Sequence, residues 1–306
     1  LVVLRTALPK GHLWNSVCSL LEQAGYGPKL SDERSYVVKS RDPDLEMRLY
    51  RAQNIGPLVE EGKYDLGITG IDWIREPESD VAQLLDLGVG KVDVVVAIPQ
   101  RYGVKPDLED PKETFRDLAE KLRQIGRKRV IAASEYENLT KKLCQENLGN
   151  MPWRFIRSYG ATETFVEVAD LIIDNSETGA TLRQNGWVIV YTLFSSTAVL
   201  IANKQSLEDS WKKDKIEDLT SLIQGAIDAR GLKLLKMNVS EKVFPNVMKV
   251  LPAMKSPTIS RLHGNKEPGY AVEVAVKEDQ IVQLIPLLKK KGATDILEID
   301  LKKVVR

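Results

Sequence analysis

Cysteine, histidine and net charge are all scarce in this chain of 306 residues. Its two cysteines are Cys18 and Cys144. Cys18 falls on an apolar helix face, which favours a buried free thiol over a disulfide or a metal site. The two histidines, His12 and His263, read as surface or loop residues, because nothing pairs them with serine or cysteine in a nucleophile pattern. Lysine plus arginine (44) nearly balance aspartate plus glutamate (43), for a net charge of +1. That balance argues against a nucleic-acid partner, and Lys212-Lys213 and Lys289-Lys290-Lys291 read as solvated helix faces or ends. No apolar run approaches a membrane span. The opening Leu1-Val2-Val3-Leu4 is interrupted by Arg5, too short for a signal-peptide core, so no membrane partner and a cytoplasmic location are expected. Two common nucleotide loops are also missing. Gly90-Lys91 is followed by Val92 rather than serine or threonine, and Gly88-Val89-Gly90 is followed three residues on by Asp93 rather than glycine.

What is present is an ordinary globular composition, 43% hydrophobic and 28% charged, long enough for two or three domains. The most informative stretch runs from Leu171 to Leu182. Val168, Leu171, Ile172 and Ile173 lead into Asp174, and a polar loop, Asn175-Ser176-Glu177-Thr178-Gly179-Ala180-Thr181, gives way to Leu182-Arg183. The pattern is buried strand, loop, helix start. A loop opening a helix points unpaired N–H groups outward, the helix dipole adds partial positive charge, Gly179 lets the backbone approach closely, and Thr178 and Thr181 add donors. A phosphate monoester fits such a cup, with Asp174 placed to accept bonds from sugar hydroxyls. The alternative for a lone T-G-x-T is a strand-to-helix turn with Thr178 or Thr181 as N-cap.

Taken in order, residues 2–8 read as a strand. Pro9-Lys10-Gly11-His12 forms a loop before a helix over 13–24 that Gly25 stops. Lys10 there is a second anion-binding candidate, since ligands of open α/β sheets sit outside the carboxyl ends of strands. Arg34, Arg41, Arg48 and Arg51 follow among short strands. Strands alternating with helices continue to 92–98, an apolar strand that suits a sheet covered on both faces. The composition changes after Pro99, and a second α/β lobe is expected from there. Strands near 187–193 and 197–202 and a helix over 215–229 are expected to return to the first lobe. The remainder reads strand (232–239), helix (241–250), strand (257–262), strand (270–277), helix (280–291) and strand (295–301). This is the βαββαβ ferredoxin-like order, with Pro286 predicting a kink or a shorter last helix.

Several stretches together resemble the long form of ATP phosphoribosyltransferase, over nearly the whole chain. They are Ala7-Leu8-Pro9-Lys10-Gly11, Arg51-Ala52-Gln53-Asn54-Ile55, Asp65-Leu66-Gly67-Ile68-Thr69-Gly70 with Asp72, Asp86-Leu87-Gly88, Gly160-Ala161 with Glu163, the Asp174–Leu182 loop with Asn185-Gly186, and Leu251-Pro252 with Pro257-Thr258. Order and spacing make the match specific. The resemblance implies an α/β fold, a two-lobed core like periplasmic binding proteins, and a C-terminal ferredoxin-like βαββαβ regulatory domain. Lobe I is expected at 1–98 with a return segment at 193–227, lobe II at 99–192 and the regulatory domain at 228–306. The implied reaction joins N1 of ATP to the anomeric carbon of phosphoribosyl pyrophosphate, with Mg2+ and with histidine as feedback inhibitor. Carried over residue by residue, the 5′-phosphate cup falls on Glu177, Thr178, Gly179, Ala180 and Thr181, and ribose-hydroxyl binding on Asp174. ATP or pyrophosphate contacts fall on Lys10, Gly11, Arg51 and Arg34, adenine orientation on Glu163, and the allosteric region on Thr258. Lys10, Arg51 and Asp174 are the expected catalytic residues, and the metal ligands stay unassigned. The family forms dimers that assemble into hexamers, and the same homo-oligomer is expected here. The family commonly has arginine where His12 stands and aspartate where Asn54 stands. A two-lobed binding module without catalysis is the competing class. A catalytic chain with a separate regulatory partner is a third, against which the C-terminal extension argues.

Overall fold

The computed structural model describes residues 2–30, 32, 35–107, 111–252, 256–263 and 268–306. Among these, the first elements are β1 (Leu4–Pro9), α1 (His12–Ala24), β2 (Lys29–Leu30), β3 (Val37–Lys39), β4 (Leu45–Tyr50), α2 (Ala52–Glu60), β5 (Leu66–Gly70), α3 (Asp72–Arg75) and β6 (Ala82–Asp86). There follow β7 (Val92–Pro99), α4 (Pro111–Gln124), β8 (Val130–Ser134), α5 (Glu137–Asn147), β9 (Trp153–Arg157), a 3-10 turn at Thr162–Glu167, β10 (Leu171–Ser176), α6 (Ala180–Gln184) and β11 (Trp187–Ser196). β12 (Ala198–Ala202) and α7 (Ser210–Asp228) lead to β13 (Leu232–Ser240), α8 (Phe244–Met248), β14 (Thr258–Arg261), β15 (Gly269–Lys277), α9 (Glu278–Lys290) and β16 (Ala293–Asp300). The chain forms two compact units, Leu1–Ser19 with Gly27–Glu217, and Leu20–Tyr26 with Asp218–Arg306.

The first unit contains two sheets, hence two lobes. The first sheet has the order β2-β3-β4-β1-β5-β12-β6, with β1 parallel to both β4 and β5 and with β12 antiparallel between β5 and β6. The second has the order β11-β7-β10-β8-β9, with β8 parallel to β9 and β10, and β7 antiparallel between β10 and β11. This differs from the sequence reading at both crossings. The composition places β7 in the first lobe, yet it lies in the second sheet, and β11 stays in that sheet to Ser196. The chain therefore crosses between Leu87 and Lys91 and returns at Thr197. An apolar run reports that both faces are covered, not which sheet covers them. The two faces of β7 do enter different cores: Val94, Val96 and Ile98 join Phe115, Leu118 and Leu122, while Val95 and Ala97 join Ile172, Leu182 and Trp187. Burial of each valine, leucine, isoleucine and phenylalanine among these contributes roughly 1.5–3 kcal/mol.

α3 of the first lobe is tied to α5 of the second by buried polar groups. Glu76 is 8% exposed and accepts hydrogen bonds from the backbone N–H groups of Asn138 (2.8 Å) and Leu139 (3.0 Å), capping α5 from the other lobe. Burial pushes its carboxyl above the usual range, against the pull of those N–H groups. Glu76→Ala would orphan both donors, so a loss of about 1–3 kcal/mol is expected, read as a lower urea midpoint. Of the thiols, Cys144 is buried, whereas Cys18 is only half-buried rather than enclosed as its apolar helix face suggested.

In the second unit, β14-β15-β13-β16 form an antiparallel sheet, the ferredoxin-like order that the alternation of elements predicts. Leu235, Met237, Val272, Val274, Leu284 and Leu288 form its core. α9 runs through Pro286 without the expected shortening. The N–H that proline lacks would have met the carbonyl of Val282, which is 82% exposed, so water can serve that carbonyl instead. Among the described residues, no helix is long and apolar enough to cross a membrane.

Candidate functional site

Parallel strands of both lobes end at one cleft. Lys10 follows β1 and Arg51 follows β4 in the first lobe; Glu135 follows β8 and the Asn175–Thr181 loop ends β10 in the second. Such a placement outside strand carboxyl ends is where open α/β sheets bind ligands.

One part of the cleft, about 460 Å³, is lined by Glu163, Asp174, Asn175, Glu177, Thr178, Ala180 and Thr181. Gly179 precedes α6 with φ +72°, and a Cβ there would come within 2.6 Å of the Arg183 guanidinium and 2.8 Å of Ile189. Only glycine suits both the angle and the space. Ser176 Oγ accepts from the Gly179 N–H at 2.8 Å, and Arg183 donates to the Thr178 carbonyl at 2.9 Å, so the loop is held from both ends. At the start of α6 the Ala180 N–H reaches Thr178 Oγ1 at 3.4 Å and the Arg183 N–H the Gly179 carbonyl at 3.1 Å, while Ala180 and Thr181 themselves line the pocket.

The neighbouring part, about 800 Å³, is lined by Lys10, Gly11, Arg48, Arg51, Trp73 and Tyr159, among others. Gly11 has φ +93°, a conformation the loop needs to turn from β1 into α1. Lys10 donates to the Tyr36 hydroxyl at 3.3 Å and sits 4.6 Å from that ring's centre. His12, Glu135 and Asn175 line both parts and so mark their junction.

Two carboxylates of the second lobe act on a third. Asp174 is pushed up to about 7, by burial first and then by Glu163 and Glu135, while the Asn175 N–H, 2.8 Å from its Oδ1, pulls it down. Burial also raises Glu135, with Arg51 and Arg157 opposing. Among the described residues, no group of three or more His, Cys, Asp or Glu could hold a metal ion.

The structure thus brings together Asp174, Glu177, Thr178, Gly179, Ala180 and Thr181, and, beside them, Lys10, Gly11 and Arg51. Glu163 lines the loop side with Asp174 and is absent from the lining of the cationic side. Arg34 lies outside the described residues. Thr258 is exposed on β14 of the other unit. Sequence reasoning missed Glu135 and Asn175. Both stand at or just beyond a strand's carboxyl end, and that position was the available signal.

A two-lobed α/β core with a loop at a helix start beside a cation-lined pocket is the architecture of a protein that handles anionic ligands in a cleft. The sequence profile described as ATP phosphoribosyltransferase matches residues 51–225, and that of the HisG C-terminal domain matches residues 229–303. A protein named ATP phosphoribosyltransferase from Pelotomaculum thermopropionicum is 39% identical over 99% of both chains. One of the same name from Chlorobium phaeobacteroides is 38% identical over 99% of this chain and 98% of its own. A chain of the ATP phosphoribosyl transferase (HisG:HisZ) complex from Thermotoga maritima shares the fold, with a TM-score of 0.57 at 22% identity over 72% of this chain and 99% of that one. The chain belongs to the ATP phosphoribosyltransferase family. It is a phosphoribosyltransferase of histidine biosynthesis, and hence a glycosyltransferase.

Proposed function

We propose that the chain transfers the phosphoribosyl group of phosphoribosyl pyrophosphate to N1 of ATP, giving phosphoribosyl-ATP and pyrophosphate. The observation that carries this reading is the pair of adjoining pockets, one at a phosphate loop and one lined by cations, which meet at His12, Glu135 and Asn175. A receptor for one small ligand needs only one of them. The loop from Glu177 to Thr181 holds the 5′-phosphate, and Asp174 accepts from the ribose hydroxyls. Lys10 and Arg51 take the negative charge that grows on the departing pyrophosphate. N1 already carries a lone pair, so no strong base is needed.

Magnesium fits a site without a protein cage. Asp174 and Glu163, which line the loop pocket, would hold it together with substrate phosphates and its own waters, and it would supply charge neutralisation there. The C-terminal unit, with Thr258, carries feedback inhibition by histidine. The protein works in the cytoplasm as dimers that assemble into hexamers.

Purified protein with ATP, phosphoribosyl pyrophosphate, magnesium and a pyrophosphatase is expected to form phosphoribosyl-ATP, followed by absorbance and mass, only when both substrates are present. Histidine is expected to slow it, and a chain lacking 229–306 to turn over without that sensitivity. No product from both substrates would sink the reaction; inhibition retained after truncation would sink the regulatory role.

A further inference from the structure

The cleft junction contains a side chain whose orientation is dictated by a buried hydrogen-bond chain. Asp72, 4% exposed, receives a hydrogen bond from Ser196 Oγ on Oδ1 (2.6 Å) and one from the Tyr136 hydroxyl on Oδ2 (2.7 Å). Ser196 Oγ in turn accepts from the Asp72 N–H at 3.1 Å, so its single proton is directed to the carboxylate. A carboxylate accepts only, so Tyr136 must spend its one proton on Asp72. Burial beside Asp72 raises the phenol well above its ordinary value, which keeps that proton in place. The Tyr136 oxygen is left as an acceptor, and the Asn175 side chain 3.1 Å away must meet it with its NH₂. The amide oxygen of Asn175 therefore turns away from this chain, and it has no hydrogen-bond partner among the described residues. Trp73 stacks on Tyr136 with ring centres 4.5 Å apart and fixes the relay in place.

Asn175 lines both parts of the cleft. Resting on the reaction proposed above, N1 of the nucleotide must reach the anomeric carbon at that junction, which carries the neighbouring 6-amino group there too. We infer that the Asn175 amide oxygen accepts a hydrogen bond from the 6-amino group of adenine and is a specificity-determining contact for the nucleotide. Tyr136 is its positioning residue, with Asp72 behind it. The arrangement selects against 6-oxo purines, which would bring an oxygen against this oxygen. It also draws electron density through the amino group toward N1, the attacking atom.

The test compares kcat/KM for ATP with that for purine riboside 5′-triphosphate, which keeps N1 and lacks the amino group. The wild-type chain, Asn175→Leu and Tyr136→Phe are each measured at saturating phosphoribosyl pyrophosphate. The intrinsic reactivity difference of the two nucleotides cancels between enzymes. The preference for ATP is expected to fall by about tenfold in Asn175→Leu and about threefold in Tyr136→Phe, the range for losing or loosening one neutral hydrogen bond. A merely structural role would slow both nucleotides equally. If Asn175→Leu is inactive, Tyr136→Phe and calorimetric affinities of both nucleotides for each variant give the same comparison. An unchanged preference overturns the inference, and with a raised KM for phosphoribosyl pyrophosphate it assigns Asn175 to the sugar hydroxyls instead. A wild-type chain that makes no product from ATP overturns the underlying reaction, a result distinct from an unchanged preference in an active enzyme.

Discussion

Replacing Arg51 with alanine is expected to lower kcat by roughly 10²- to 10³-fold, with a smaller change in either KM. Arg51 is the residue before α2, at the carboxyl end of β4, with extended backbone (φ −63°, ψ 139°). It lines the cationic pocket together with Lys10 and Glu135. Negative charge on pyrophosphate grows as the glycosidic bond breaks, so a cation held there favours the transition state over bound substrate. Single-turnover and steady-state kinetics on Arg51→Ala and Arg51→Lys check this. Lysine should recover part of the rate, because it restores the charge without the planar fork. A raised KM with intact kcat would make Arg51 a uniform binding residue instead.

Asp174→Asn is expected to reduce kcat/KM for phosphoribosyl pyrophosphate by about 1–3 kcal/mol at pH 8, the usual worth of a charge-assisted contact. The pH dependence is the sharper signature. Burial pushes the Asp174 carboxyl up to about 7, and protonation removes its charge and turns one of its two accepting oxygens into a donor. The wild-type kcat/KM should therefore fall as pH drops through about 7, while the Asp174→Asn variant shows no such ionisation. Stability runs the other way. With the folded carboxyl above its ordinary value of 3.8, the native state holds the extra proton between that value and about 7, so stability falls as pH rises through this window. Asp174→Asn should thus raise the melting temperature at pH 8 while lowering activity, a trade expected of a strained binding group. A lower melting temperature, or an unchanged pH profile, would contradict this account.

The loop at 174–181 was legible in the sequence because its chemistry is local. A strand, one glycine with positive φ and a helix start are adjacent in the chain, and the geometry of N–H groups follows from backbone conformation alone. The C-terminal βαββαβ order was legible for the same reason, since alternation and helical spacing report the covered faces of each element. Lobe membership was not. β7 has the composition of a doubly covered strand, which both sheets could have used, and only its pairing with β10 and β11 assigns it.

Asn175 and Glu135 show the same limit at the site. Each is an ordinary polar residue beside a readable motif, and nothing within a few positions orients it. The partners that do so are distant: Asn175 meets Tyr136, which meets Asp72, which meets Ser196. By itself the sequence determined most of the elements, the strand, loop and helix start at 171–184, and the family, because these depend on residue type at short spacing. Tertiary structure alone decided which carboxylates are raised, which end of the Asn175 amide meets Tyr136 and where the chain crosses between lobes. Burial and hydrogen-bond direction depend on what surrounds a group in space, and the strands and helices that supply those surroundings lie far apart in the chain.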